Sequence, residues 1–147
     1  MDRDKLLWVL KELKLPKGEY VVFGGSVLVR EGIRQGDDID IFVTKPLYRK
    51  LKHERGWHEQ WPKKGDPPLL EAIVERVAVH AFYDWQKRDE WGPDVPKLIK
   101  YAKRQDGFPF MELRDMYDWK KLCNRLKDMR DVFLIRKHWA ANKEGRP

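Results

Sequence analysis

Residues 20–43, YVVFGGSVLVREGIRQGDDIDIFV, restrict the fold more tightly than any other stretch of the chain. Tyr20 to Phe23 is a β-branched and aromatic run that reads as a buried strand, and the adjacent glycines Gly24 and Gly25 break it sharply. SVLVREGI can then begin a helix capped by Ser26. From Asp38 the pattern alternates: Ile39, Ile41 and Val43 share one face of a second strand, while Asp38, Asp40 and Phe42 share the other. Aspartate is depleted from strands, and two carboxylates on one face repel each other unless something neutralises them. This half-buried strand therefore needs a cation or a solvated edge on its acidic face.

The rest of the chain supplies elements to surround those two strands. Leu6, Leu7, Leu10 and Leu13 recur at helical spacing between Asp4 and Lys14, and Pro16 with Gly18 stops that helix. After Pro46, LYRKLKHERG reads as a second short helix with Leu47, Tyr48 and Leu51 on one side and Gly56 closing it. WPKKGDPP is a loop. LLEAIVERVAVHAFYDW is rich in β-branched residues and reads as a strand hairpin. From Pro96 the signals are helical: PKLIKYAKRQ, MELRDMYDWKKLCNRL and LKDMRDVFLIRKHW, with DGFPF between the first two and a frayed tail ANKEGRP. The fold class is α+β, a small mixed sheet flanked by helices. One domain spans residues 1–147: an N-terminal helix and linker (1–19), the sheet with the chemical motifs (20–95), and a helical C-terminal third (96–147).

Composition narrows the chemistry. Lys and Arg number 31 against 24 Asp and Glu, a net charge of +7 that favours polyanionic partners such as nucleic acid, nucleotides or acidic headgroups. Cys123 is the single cysteine, so one chain can form neither a disulfide nor a cysteine zinc cluster. The four histidines show no His-x-Glu or His-Glu-x-x-His spacing, which argues against a zinc hydrolase. No apolar run approaches the roughly 20 residues of a membrane span, and the charged N-terminus is unlike a signal peptide, so a cytoplasmic protein with no membrane partner is expected.

Asp38 and Asp40 put their Cα atoms roughly 6.6 Å apart, at about 3.3 Å per residue, with both side chains projecting the same way. Hard divalent cations bind through one or two carboxylates plus substrate phosphates, so the pair suits Mg²⁺, or Mn²⁺, in nucleotide chemistry. Asp37 points to the opposite face. A strand ending in Gly24-Gly25 lets the backbone approach a ligand closely, and Ser26 offers a hydroxyl and N–H groups to a phosphate. The turn is neither a Walker loop nor a dinucleotide fingerprint. Read plainly, the same residues are a solvated strand edge and a capped turn.

In order and spacing, Phe23-Gly24-Gly25-Ser26 followed by Asp38-Ile39-Asp40-Ile41 resembles the nucleotidyltransferase superfamily typified by DNA polymerase β, particularly its small single-domain bacterial-type members. DWKKLCNRLKDMRDVFLI is similar to their C-terminal Trp-Lys … Arg-x-Lys-Asp-x-x-Asp segment, found also in nucleotidyltransferase-like toxin proteins. The likeness runs from Val21 to Ile135. It implies a nucleotidyltransferase fold, with Asp38 and Asp40 as metal ligands. Gly24, Gly25, Ser26, Lys120, Arg125 and Lys127 would be its nucleotide-binding residues, and Asp128 and Asp131 would brace the helix. The basic residues of that segment also fit an ordinary amphipathic surface helix. The tryptophans read as core, with stacking on Trp57 or Trp61 as an alternative.

Active members of the superfamily add a third acidic residue from a neighbouring strand. Here His80 occupies the matching slot. A histidine with an ordinary pKa near 6.5 can deprotonate a hydroxyl, but it is a poorer Mg²⁺ ligand than a carboxylate. Glu71 and Asp84 are the other candidates, Asp84 about 13 Å along the strand from His80. The expected function is Mg²⁺-dependent transfer of a nucleoside monophosphate from a nucleoside triphosphate to a hydroxyl acceptor, whether an RNA end such as tRNA, a protein or a small molecule. The alternatives are a catalytically degenerate relative that binds nucleotide, nucleic acid or a toxin–antitoxin-type partner, and an unrelated basic RNA-binding domain.

Overall fold

The protein's architecture comes from a computed structural model that describes residues 1–85 and 92–144. The first helix, α1 (Arg3–Leu13), is capped by Asp2, whose carboxylate accepts from the Lys5 N–H, and it buries Leu6, Val9 and Leu10. Strand β1 (Tyr20–Phe23) leads into α2 (Gly25–Arg30), then β2 (Ile39–Val43) and α3 (Lys45–Lys52). Thr44 caps α3 and Leu47, Tyr48 and Leu51 form its buried side, as the sequence pattern predicts. Strands β3 (His58–Gln60), β4 (Leu69–Val74) and β5 (Val77–Phe82) follow, then α4 (Val95–Lys100), β6 (Lys103–Gln105), β7 (Phe108–Phe110), α5 (Leu113–Cys123) and α6 (Leu126–Glu144).

The strands form one seven-stranded mixed sheet in the order β3-β4-β5-β2-β1-β7-β6. The buried strand and the aspartate strand are antiparallel neighbours, with Phe23 opposite Asp40. On its other side β2 runs parallel to β5, with Asp40 opposite His80. The hairpin expected over LLEAIVERVAVHAF is β4 and β5, turned by Glu75 and Arg76, which both take positive φ. Ile39, Ile41, Phe42 and Val43 are all fully buried, so β2 is wet only at its aspartate end. Phe42 earns its place on the acid's own face by stacking on Phe23, ring centroids 3.8 Å apart.

Four expectations need correction. The C-terminal third is not wholly helical: Lys103–Gln105 and Phe108–Phe110 form a hairpin about Asp106 and Gly107, both at positive φ, and β7 joins the sheet parallel to β1. The sheet therefore extends past residue 95. Three-residue strands, one polar and one holding Pro109, carry almost no alternation; the Asp-Gly dipeptide was the available signal. His58–Gln60, which falls between the expected helix and loop and belongs to neither, is the sheet's edge strand β3. The second helix is capped not by Ser26 but by Gly24, and Ser26 lies buried inside α2. Finally, α6 continues through Ala141 to Glu144, where a frayed tail was expected; residues 145–147 of that tail lie outside the described residues. No helix among the described residues is long and apolar enough to cross a membrane.

Candidate functional site

Strand register sets one half of the site. Asp40 on β2, His80 on β5 and Glu71 on β4 are opposite one another in successive strands, so their side chains form a row across the sheet surface. His80 Nε2 is 2.8 Å from Glu71 Oε2. Its Nδ1 is 3.4 Å from Asp40 Oδ1 and 3.7 Å from Asp38 Oδ2. Of the three candidates for the residue beside the aspartate pair, the structure thus places His80 against it and Glu71 behind His80. Asp84 lies past the end of β5, where its carboxylate accepts from the Trp85 N–H.

The imidazole sits among three carboxylates, and that fixes its charge. The hydrogen bond to Asp40 raises the His80 pKa most; burial opposes it, and the bond to Glu71 adds to the rise, which reaches about 9. Near neutral pH the ring is therefore an imidazolium that donates from both nitrogens and has no lone pair with which to take a proton. Asp38 is held above the usual carboxylate range by burial and by the nearby charge of Asp40, with His80 pulling the other way. Ligand atoms of Asp38, Asp40 and His80 lie within 4.8 Å of one another, close enough for one cation. The two carboxylates fit a hard divalent ion, whereas His80 can coordinate only after losing its proton.

The glycine turn sits directly against this pair. Gly24 has φ 72° and ψ −149°, a region open essentially to glycine alone, and a Cβ there would stand 3.2 Å from Asp40 Oδ2. At Gly25 the neighbour is different: a Cβ would stand 2.8 Å from an Arg34 guanidinium nitrogen. Arg34 therefore lies over the Gly25 backbone. It is held there by Asp131, which accepts from Arg34 Nε at 2.8 Å and from Nη2 at 2.9 Å, a bidentate pair. Gly24→Ala is expected to destabilise the fold by about 1–3 kcal/mol, measured by urea denaturation, because strained φ/ψ and the Asp40 contact act together.

Asp131 also pairs with Lys120 Nζ at 2.9 Å, and Lys120 lies 3.6 Å from Asp128. Asp128, 1% exposed, accepts from the Arg125 side chain at 2.7 Å and from the Arg125 backbone N–H at 3.2 Å. Burial pushes the Asp131 carboxyl up, but Arg34 and Lys120 outweigh it and hold the group below the usual carboxylate range. The C-terminal basic segment thus meets the motif turn through a network in which buried Asp128, Asp131 and Lys120 hold the partly exposed Arg34 and Arg125. Arg34 is the member that sequence reasoning missed. Its signal is faint: an arginine inside the turn between two motifs, whose partner lies 97 residues away.

A cavity of about 510 Å³ joins the aspartate pair to the basic segment, with His80 and Glu71 outside its wall. Gly24, Gly25, Asp38, Asp40, Lys120, Arg125 and Lys127 are all in its wall, with Arg34, Arg130, Phe23, Trp85 and Trp119. Asp37 also faces it, because it precedes β2 and the strand alternation that would turn it away does not reach it. Ser26 is absent from the wall: it is 1% exposed, and its hydroxyl donates to the Asp38 carbonyl at 3.4 Å, tying the glycine turn to the aspartate strand. Trp119 is core, 6% exposed, while Trp61 is 68% exposed.

No family model and no curated protein matches the chain. Among solved structures it is similar to a Thermotoga maritima protein that is named, provisionally, as a nucleotidyltransferase. The two are 21% identical with a TM-score of 0.59, over 97% of this chain and 96% of that one. A likeness at this identity carries the fold, and it spans the glycine turn, the aspartate strand and both C-terminal helices alike. The mixed sheet with its flanking helices is the nucleotidyltransferase fold.

Proposed function

We propose that the protein binds a nucleoside triphosphate with a divalent cation and transfers the nucleoside monophosphate to a hydroxyl acceptor. The observation that carries this reading is the meeting, in one cavity, of the Asp38–Asp40 pair with Arg34, Lys120, Arg125, Lys127 and Arg130. Asp38 and Asp40 would hold Mg²⁺ or Mn²⁺, which when bound supplies charge neutralisation and Lewis acidity. The cationic wall would take the triphosphate, with Arg34, laid over Gly25, bringing that wall to the glycine turn. In the transfer, the acceptor oxygen attacks the α-phosphorus, the bond to the bridging oxygen of the β-phosphate breaks, and pyrophosphate leaves. Such chemistry asks mainly for positioning and preorganised charge. The excess of basic residues favours an RNA acceptor over a protein or small molecule.

The test is incubation with α-labelled nucleoside triphosphates and separate pools of tRNA, protein and small metabolites. Label should move to one pool in the presence of Mg²⁺ or Mn²⁺ and fall to background in Asp38→Asn with Asp40→Asn. Transfer that survives the double substitution would sink the assignment. The imidazolium at His80 favours a second reading, in which the fold retains nucleotide or partner binding but not turnover. The cation site then has a built-in positive charge where a third carboxylate would serve. Metal-dependent triphosphate affinity without label transfer to any pool is its expected outcome.

A further inference from the structure

Exposed apolar side chains recur on the side of α6 that faces away from the buried Asp128 and Asp131. Leu126, Met129 and Phe133 are 70%, 54% and 64% exposed, and Leu122 near the end of α5 is 63% exposed. At about 100° per residue, Leu126, Met129, Phe133 and the exposed Ala140 fall within an arc of about 60°. Their 3-and-4 spacing is that of a narrow helix–helix seam, while Ile135, Asp128 and Asp131 hold the opposite face of α6 in the core.

The charges beside the seam have one sign. Lys137 and Arg130 lie within about 40° of one edge and Arg136 lies beside the other, where its Nε donates to the Tyr117 hydroxyl at 2.7 Å; Lys127 is exposed one residue from Leu126. Between Leu126 and Ala140 the only carboxylates are Asp128 and Asp131, which are buried and paired inward. A second copy laid seam to seam would bring like charges together, so this surface opposes its own dimerisation. Single-stranded nucleic acid would need aromatic platforms, but the seam is aliphatic apart from Phe133. A lipid surface calls for a broad apolar face, and this one is a strip a single helix wide.

We propose that the α6 seam docks an amphipathic helix of a partner protein whose flanking positions are acidic. Apolar side chains of that helix pack between Leu126, Met129 and Phe133, and its carboxylates meet Arg130, Arg136 and Lys137. Because Arg130 and Lys127 also line the cavity, the docked helix would border its mouth. The proposal stands whether or not nucleotide is transferred.

The test uses the full chain and a fluorescein-labelled synthetic peptide of about three heptads, with Leu at a and d and Glu at e and g; a matching peptide carries Lys at e and g. By fluorescence anisotropy the Glu peptide should bind and the Lys peptide should not. Phe133→Ser and Met129→Ser should each weaken binding about tenfold or more. The charge-reversed protein, Arg130→Glu with Lys137→Glu, should prefer the Lys peptide, a gain that loss of folding cannot mimic. The proposal is overturned if the Glu peptide fails to bind, or if its binding ignores Phe133 and Met129. It is equally overturned if only phosphatidylserine vesicles or an RNA hairpin bind in a Phe133-dependent way.

Discussion

Asp131→Ala is expected to cost about 3–5 kcal/mol of unfolding free energy, the loss typical of removing one partner from a buried ion pair. Asp131 is 6% exposed and is shared by Arg34 and Lys120, the latter with a side chain only 11% exposed. Without the carboxylate, Lys120 keeps only the longer contact to Asp128, and Arg34 loses both bonds that lay it over Gly25. Urea denaturation of the variant beside Lys121→Ala, which leaves the network intact, reads the difference. Adding Lys120→Met to the Asp131 variant should recover part of the loss, since the uncompensated charge is then gone. A cost under about 1 kcal/mol would place the pair with ordinary surface bridges and remove this role. The pH dependence has a fixed sign. Asp131 has its pKa lowered in the fold, so its contribution is complete above the unfolded value of 3.8 and disappears as pH falls through the lower folded value.

His80 should behave in the opposite sense. Its folded pKa of about 9 lies above the ordinary 6.5, so its contribution to stability is complete below about pH 6.5 and is lost as pH rises through about 9. With one unit of pKa equal to about 1.4 kcal/mol, the contribution is on the order of 3 kcal/mol. Denaturation series from pH 6 to 10 on the native chain and His80→Gln should converge at the alkaline end and separate at the acidic end. Parallel curves would show that the imidazolium is not held by Asp40 and Glu71. The same charge bears on the proposed transfer: a ring protonated at neutral pH would act beside the aspartate pair as an electrostatic partner, leaving general-base work to another group or to solvent.

What could be read in the sequence divides along physical lines. Alternation located β2, and with it the shared direction of Asp38 and Asp40, because period-2 patterning is local. The same locality placed the β4–β5 hairpin, whereas the slot of His80 beside the aspartate pair came from the family resemblance, because the β2–β5 pairing is not local. The cap of α2 was misplaced because Ser26 is a common cap residue, whereas the backbone of Gly24, at φ 72°, had already taken that position. Strands β6 and β7 were lost because three residues are too few to show a period, and pairing holds them where propensity does not: β7 against β1, and β6 against β7. Lys120 was legible as a basic residue but not as one pinned between two buried acids. Arg34 left only the faint signal of an arginine between two motifs, since its role depends on Asp131 in the distant α6.

The span between Arg34 and Asp131 also orders events in time. The carboxylate half of the cavity needs only β1, β2, β4 and β5, all complete once residue 82 has been made. Its cationic half waits for α6, because Asp131 follows Arg34 by 97 residues, and β7 must first slot in beside β1. Contacts of such long sequence separation pay their loop-closure entropy before they repay it, which slows folding. During synthesis, therefore, Asp38, Asp40 and Arg34 leave the ribosome well before Lys120, Arg125, Lys127 and Arg130, and the positive wall that a polyanion would meet is complete only near the end of translation.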